Sequence, residues 1–286
     1  MKIGVSSYSF HRLVASKQMT QLEVIAKAKE IGFDVIEFST LDIDETPEAF
    51  APKIAEECAR VGIEVGNYTI GGNFHKGDWR TEAKRLESEV RAAKLMGAPG
   101  MRHDVSYGPP AGGSQLWEDN LEALANGCRA VTEFAATQGI RTMMENHGFF
   151  AQDSRRVEQL MNAVAHPNFG WLVDMGNFMC ADEAPEKAVA RAMPYAFHVH
   201  AKDFYWKDGS LPNPGQGWFQ TRAGHYLKGA IIGHGVVPIV HCLRLMKQAK
   251  YQGVLSIEFE GMEEPLTGVA VGLENLRRYV AMVEAE

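Results

Sequence analysis

The sequence predicts a (β/α)₈ (TIM) barrel that forms a single domain over residues 1–286. A unit of amphipathic helix, glycine, short apolar strand and polar loop recurs along the chain, and counting from Lys2–Ser6 gives eight strands. The length also fits, because eight such units typically occupy about 250 residues or more. The main rival is a doubly wound open sheet, but no GxGxxG follows the first strand to favour it, and no Pro/Ser-rich linker divides the chain.

Helix caps define the units of the first half. Thr20 and Glu23 have the spacing of a capping box, and Gly32 is placed to end the helix that they start. Thr46–Pro47 puts a cap residue before a proline at the first helical position of the next helix. The strands predicted in this half are 2–6, 34–38, 63–68 and 100–103.

Apolar residues at helical spacing recur at 79–93 and 121–135, and these helices are predicted to end at Gly97 and Gly139. The later strands are predicted at 141–145, 171–174, 195–200 and 254–258, and later helices at 239–250 and about 268–284. Two long loops, 104–115 and 203–235, follow the fourth and seventh strands. The second is rich in aromatic residues, which favours an ordered lid, although packing against a partner subunit would give the same pattern.

Composition excludes several classes of protein. The formal net charge of −7 disfavours a nucleic-acid-binding protein, which usually carries a basic face. The four cysteines form no CxxC pair and are expected to be buried free thiols. The chain enters a strand pattern directly, without an apolar signal core or a stretch that could span a bilayer, so a cytoplasmic location without membrane attachment is expected.

Potential metal ligands end four strand-like runs of the second half. They are Glu145, Asp174, His200 and Glu258. Each alone is often a helix cap, a solvated charge or a hydrogen-bonded core histidine, but four buried ionisable groups need a compensating charge. Their convergence on the barrel mouth predicts a shared divalent metal, and this oxygen-rich set favours Mn²⁺, with Mg²⁺, Co²⁺ or Zn²⁺ as alternatives. His198 shares a strand face with His200 but should lie deeper in the barrel.

These segments resemble the xylose isomerase-like TIM-barrel superfamily, specifically the sugar phosphate isomerase/epimerase group with its tagatose 3-epimerase, inosose dehydratase and endonuclease IV relatives. The resemblance covers nearly the whole chain and is most specific at 145–147, 174–177, 200–203 and 257–258. It implies that the four residues named above ligate the metal. It also implies that Glu145 and Glu258 form the acid/base pair of the epimerase branch.

We therefore expect a metal-dependent isomerase or epimerase that acts on a small sugar or polyol. One carboxylate would remove a proton beside a carbonyl to give an enediolate, and the other would return a proton to the opposite face. Lys202 is predicted to be an electrophile or general acid, with a surface ion pair to Asp203 as the alternative. Predicted substrate contacts are Glu37, His103, His147, Asn177 and Trp206. The helix-rich exterior permits a homo-oligomer.

Three alternatives stay open. A lyase that eliminates from a keto-inositol or a 3-keto sugar would use the same scaffold and the same enediolate. Endonuclease IV-like DNA repair is disfavoured, because Asn177 replaces a histidine three residues after Asp174 and the chain is acidic. That replacement, and the lack of an arginine after His200, also weaken a ketohexose 3-epimerase in particular. A non-catalytic barrel subunit is the last alternative.

Overall fold

The computed structural model describes residues 1–286 and contains a closed barrel of eight parallel strands, as predicted. In chain order, the strands are β1 (Lys2–Ser6), β2 (Val35–Phe38), β3 (Glu64–Ile70), β4 (Gly100–His103), β5 (Arg141–Glu145), β6 (Phe169–Asp174), β7 (Ala196–Ala201), β8 (Asp203–Lys207), β9 (Phe219–Gln220), β10 (Tyr226–Ala230) and β11 (Val254–Ile257). The order around the barrel is β1-β11-β7-β6-β5-β4-β3-β2. Pairing of β1 with β11 closes it.

Helices cover the outside of the barrel. They are α1 (His11–Ala15), α2 (Gln21–Ile31), α3 (Pro47–Val61), α4 (Trp79–Met96), α5 (Trp117–Gln138), α6 (Ser154–Val164), α7 (Pro185–Ala192), α8 (Ile239–Gln248) and α9 (Pro265–Ala285). The capping box of α2 is confirmed, because Thr20 and Glu23 exchange side-chain to backbone hydrogen bonds. Gly32 follows with φ of 113°, a left-handed conformation that glycine adopts without strain.

The last helix begins three residues earlier than the sequence pattern predicted. The Glu264 carboxylate accepts hydrogen bonds from the backbone N–H groups of Leu266 and Thr267, and Pro265 occupies the first turn. A carboxylate cap satisfies donors that have no partner inside the helix. The start of α9 is therefore set by a local cap rather than by apolar spacing.

The stretch 203–235, predicted as a long loop forming an ordered lid, contains three short strands that the sequence pattern did not predict. Strands β8, β10 and β9 form a small antiparallel sheet beside the barrel. Trp206 lies in β8, is 42% exposed and packs against the ring of His225. Pairing with β10, which lies about twenty residues further along the chain, gives this segment its order.

None of the helices is both long and apolar enough to cross a membrane.

Barrel geometry brings the carboxyl ends of the eight strands to one mouth. Glu145 and Asp174 are the last residues of β5 and β6, and Glu258 directly follows β11. His200 lies beside Asp174 on one side and Ser256 on the other in the strand register. The predicted metal ligands therefore lie on four adjacent strands, β5, β6, β7 and β11.

Candidate metal centre

The structure brings the four predicted ligands to one point. Glu145, Asp174, His200 and Glu258 each offer a donor atom, and these atoms all lie within 4.8 Å of one another. All four residues are buried. Three of them lie in different strands and Glu258 directly follows a fourth, so the rigid barrel rather than a flexible loop fixes their spacing.

The spacing of the donor atoms suits a shared divalent cation better than it suits direct hydrogen bonds between the side chains. His200 Nδ1 lies 3.8 Å from Glu145 Oε1, 3.6 Å from Asp174 Oδ2 and 3.6 Å from Glu258 Oε2. These separations are too long for hydrogen bonds, but ligands about 2.0–2.2 Å from one ion lie roughly 3–4 Å apart. His200 Nδ1 and Asp174 Oδ2 are also buried without a hydrogen-bond partner, as expected of atoms that bind an ion.

The excess of buried negative charge around the four donor atoms also favours a bound cation. The carboxylates buried around this point are Glu37, Asp104, Glu145, Asp174 and Glu258, whereas the buried lysine and arginine side chains there are Lys202 and Arg102. Uncompensated buried charge is strongly unfavourable. A divalent cation would remove most of this excess of negative charge.

Glu37 orients His200 from the side opposite the candidate metal. Its Oε1 lies 2.5 Å from His200 Nε2, and its Oε2 lies 2.7 Å from His198 Nε2. Burial alone would raise the pKa of Glu37, but the two imidazoles outweigh burial and hold the pKa below its usual value. A proton on His200 Nε2, donated to Glu37, leaves the lone pair on Nδ1 free to bind a cation.

We therefore expect Glu37→Gln to weaken Mn²⁺ binding by about 10–100-fold, the usual effect of removing a partner that orients a metal-bound histidine. The dissociation constant, measured by calorimetry on protein stripped of metal, checks this prediction. Glu56→Gln makes the same change on the exposed face of α3 and serves as the control. Unchanged affinity in a folded Glu37→Gln protein would contradict the orienting role.

Lys202 and Asn177 link the carboxylates of the centre. Lys202 Nζ lies 2.6 Å from Glu258 Oε2 and 3.3 Å from Asp174 Oδ2. Asn177 donates to Glu145 Oε1 at 2.9 Å and accepts from Lys202 Nζ at 3.1 Å. Lys202 therefore pairs inside the barrel mouth, and Asp203, its predicted alternative partner, hydrogen-bonds elsewhere.

Arg102 is a site residue that the sequence reasoning missed. Its Nη2 lies 2.7 Å from Glu145 Oε2, and its Nη1 lies 3.2 Å from Asp104 Oδ1. Asp104 also accepts from His147, whose Nδ1 lies 3.0 Å from Asp104 Oδ1. The alternation of side chains along a strand could have identified Arg102. It points to the face of β4 opposite His103, the residue that was predicted to contact substrate.

An open cavity of about 370 Å³ adjoins the centre, a size suited to a small ligand. Of the predicted catalytic and substrate-contacting residues, Glu145, Glu258, Lys202 and His147 line it. Asn177 lies in an adjoining cavity with His147 and Lys202.

Three predicted substrate contacts do not reach these cavities. Glu37 is fully buried behind His200, and Trp206 faces His225. His103 is fully buried, its ring packs against Phe74, and burial lowers its pKa to about 4. A neutral core histidine is the role that its surroundings support.

The two predicted acid/base carboxylates have opposite pKa shifts. Burial raises the pKa of Glu145, which Arg102 opposes and Glu258 reinforces. Burial would also raise the pKa of Glu258, but Lys202 and His200 outweigh it and hold that pKa well below its usual value. Carboxylates whose environments separate their pKa values are suited to different steps of proton transfer.

Comparisons with known proteins agree with this fold. A family model described as xylose isomerase-like TIM barrel matches residues 25–279. The chain is 23% identical, over 291 aligned positions and 92% of each protein, to the L-ribulose-5-phosphate 3-epimerase UlaE of Escherichia coli (strain Crooks). Similar solved structures include an L-ribulose 3-epimerase, with a TM-score of 0.76, 15% identity and coverage of 100% of this chain and 96% of that one. The IOLI protein with a bound zinc atom gives a TM-score of 0.76, 15% identity and 99% coverage of both chains.

Proposed function

Because this chain belongs to the xylose isomerase-like TIM-barrel family, we propose that it is a divalent-metal-dependent epimerase or isomerase of a small sugar. The convergence of three carboxylates and one imidazole on a single point, beside a cavity of suitable size, carries this proposal. The Escherichia coli relative, named as a 3-epimerase of a pentulose phosphate, supports the reaction class. The zinc atom in the IOLI structure supports the binding of a metal by a protein of this fold.

In this proposal Glu145, Asp174, His200 and Glu258 hold the metal. When bound, the cation supplies Lewis-acid polarisation of a substrate carbonyl and orients the neighbouring hydroxyl. Mn²⁺ is the ion we propose for this oxygen-rich set.

Glu145 and Glu258 exchange the proton at the carbon beside the carbonyl. One carboxylate would remove the proton and the other would return one, with Glu258 held by Lys202 and Glu145 by Arg102. Lys202 Nζ, which contacts Glu258, would donate a hydrogen bond to a substrate oxygen on which negative charge develops. Arg102 holds Glu145 in place from the side of Asp104.

The test is a screen of ketoses, cyclitols and related polyols in D₂O with Mn²⁺, followed by NMR and mass spectrometry. We expect solvent deuterium to enter the carbon beside the carbonyl of at least one member, and entry to stop when the metal is removed. Metal-independent activity, or no exchange across the screen by metal-loaded protein, would contradict the proposal. Loss of water or of an aglycone together with exchange would identify the lyase alternative instead.

A further inference from the structure

We infer that this site takes an uncharged ketose or polyol and excludes sugar phosphates, an inference that rests on the proposed function of the same site. Many TIM barrels bind phosphate through the loop after the seventh barrel strand and a following helix start. Here that region is the turn before α8, at residues 231–238. Its glycines, Gly233 and Gly235, are the kind of residues whose backbone N–H groups surround a phosphate.

The Asp203 carboxylate already occupies this turn. Its Oδ2 accepts from the N–H groups of Gly233 and Gly235, each at 2.9 Å, and its Oδ1 accepts from Val237 N at 3.0 Å. Oδ1 also accepts from the N–H of Phe204, at 2.8 Å. Asp203 is 1% exposed, so the chain's own anion fills the turn that corresponds to the phosphate-binding region of many TIM barrels.

The approach of Asp203 to the turn is close and specific. A Cβ added to Gly235 would lie within 2.2 Å of Asp203 Oδ1, so only glycine permits this contact. Burial raises the pKa of Asp203, and the hydrogen bonds from Gly235 and its neighbours oppose that rise. An external dianion would have to displace an internal carboxylate that has four backbone partners.

The lysine and arginine side chains that line the cavity are also occupied. Arg102 is paired with Glu145 and Asp104, and Lys202 is paired with Glu258, Asp174 and Glu260. In the adjoining cavity, Arg85 is paired with Glu82 and Glu89. Among the lysines and arginines of these two cavities, only Lys76 has no ion-pair partner, and a single exposed lysine makes a weak phosphate site.

The remaining residues that line the cavity beside the metal centre suit the hydroxyl groups of a sugar rather than a phosphate. Asp42, Asp104, Glu145, Glu258 and Glu260 give the cavity five carboxylates, against Lys202, Arg102 and His147, whose pKa the neighbouring Asp104 raises to about 9. Its hydroxyl-bearing residues are Ser7, Tyr8, Ser39, Thr40, Thr69 and Tyr107. Carboxylates accept hydrogen bonds from sugar hydroxyls, and side-chain hydroxyls both donate and accept. Asp42 and Glu260, which are not candidate metal ligands, would repel a phosphate.

The test compares matched pairs on the Mn²⁺-loaded protein: L-ribulose with L-ribulose 5-phosphate, and D-fructose with D-fructose 6-phosphate. We expect the phosphorylated member to have a kcat/KM for deuterium entry at least about tenfold lower, or to bind at least about tenfold more weakly by calorimetry. An equal or higher value for either phosphorylated member would overturn the inference. Failure of every sugar to exchange, with no binding of the phosphates, would refute the proposed function and leave the exclusion of phosphate standing.

A second experiment examines Asp203 itself through thermal unfolding. We expect glycerol 3-phosphate, compared with glycerol and chloride at equal ionic strength, to leave the melting temperature of the wild-type protein unchanged. Asp203→Gly empties the turn, so glycerol 3-phosphate should raise the melting temperature of that variant. Stabilisation of the wild-type protein, or none in a folded Asp203→Gly protein, would overturn the role assigned to Asp203. If that variant does not fold, the wild-type result and the kinetic pairs still decide the inference.

Discussion

Glu258→Gln should abolish deuterium entry from one epimer of the substrate, and Glu145→Gln should abolish it from the other, each by about 10²–10⁴-fold. Two carboxylates on opposite sides of a carbon each serve one face, and glutamine keeps the side-chain size but cannot take a proton. The environments of the two residues differ, since Glu258 contacts Lys202 and Glu145 contacts Arg102. The loss should therefore depend on which epimer is supplied.

Measurement of exchange from each epimer separately, at saturating Mn²⁺, isolates this effect from any loss of metal. Metal content measured on the same samples shows how far each variant remains loaded. Glu56→Gln, on the exposed face of α3, is the matched control and should exchange both epimers at the wild-type rate. A Glu258→Gln protein that is loaded with metal and still exchanges both epimers would remove Glu258 from the chemistry.

Asp174→Asn should weaken Mn²⁺ binding by at least about 100-fold, more than the loss of a residue that only orients a ligand. Asp174 Oδ1 accepts from Gly176 N and Asn177 N, each at 2.8 Å, so an asparagine oxygen can keep this turn. Oδ2, which faces the other donors without a hydrogen bond, would become an amide nitrogen that cannot ligate a cation. The substitution therefore removes a ligand while it preserves the local backbone.

Calorimetry gives the affinity, and thermal unfolding gives an independent measurement. Metal at 100 times its dissociation constant stabilises a folded protein by about 2.7 kcal/mol, so Mn²⁺ should raise the melting temperature of the wild-type protein but not of Asp174→Asn. Asp44→Asn, at an exposed position, should keep the wild-type response. Equal stabilisation of Asp174→Asn and wild type would show that the ion binds elsewhere.

The candidate ligands were predictable because each carries a local signal. Glu145, Asp174 and Glu258 stand where an apolar run meets a polar turn, and such a position in a βα unit is a strand end. The choice of His200 over His198 came from its nearness to the following loop. The structure brings these residues to one point.

Other parts of the site carried weaker signals. Arg102 was not predicted, although side-chain alternation along β4 was compatible with it, because the neighbouring His103 was predicted to contact substrate instead. Glu37 was expected at the cavity, but it lies behind His200, and its distance in sequence from that histidine gave no indication of their contact. The small sheet of β8, β9 and β10 was predicted as a lid loop, because its pairing depends on partners that are separated along the chain.

The sequence by itself determined the recurring helix and strand units, the caps that begin α2 and α3, the glycine that ends α2, and the chemical types of the four candidate ligands. These properties depend on residues within one or two turns of each other, where periodicity and capping act. Only the tertiary structure decided which faces meet across the barrel. Closure of β1 onto β11 and the strand register place Glu37 against His200 and Arg102 against Glu145, and Asp203 folds back onto the turn before α8. These contacts join residues far apart in the chain, and they form only when the whole core packs.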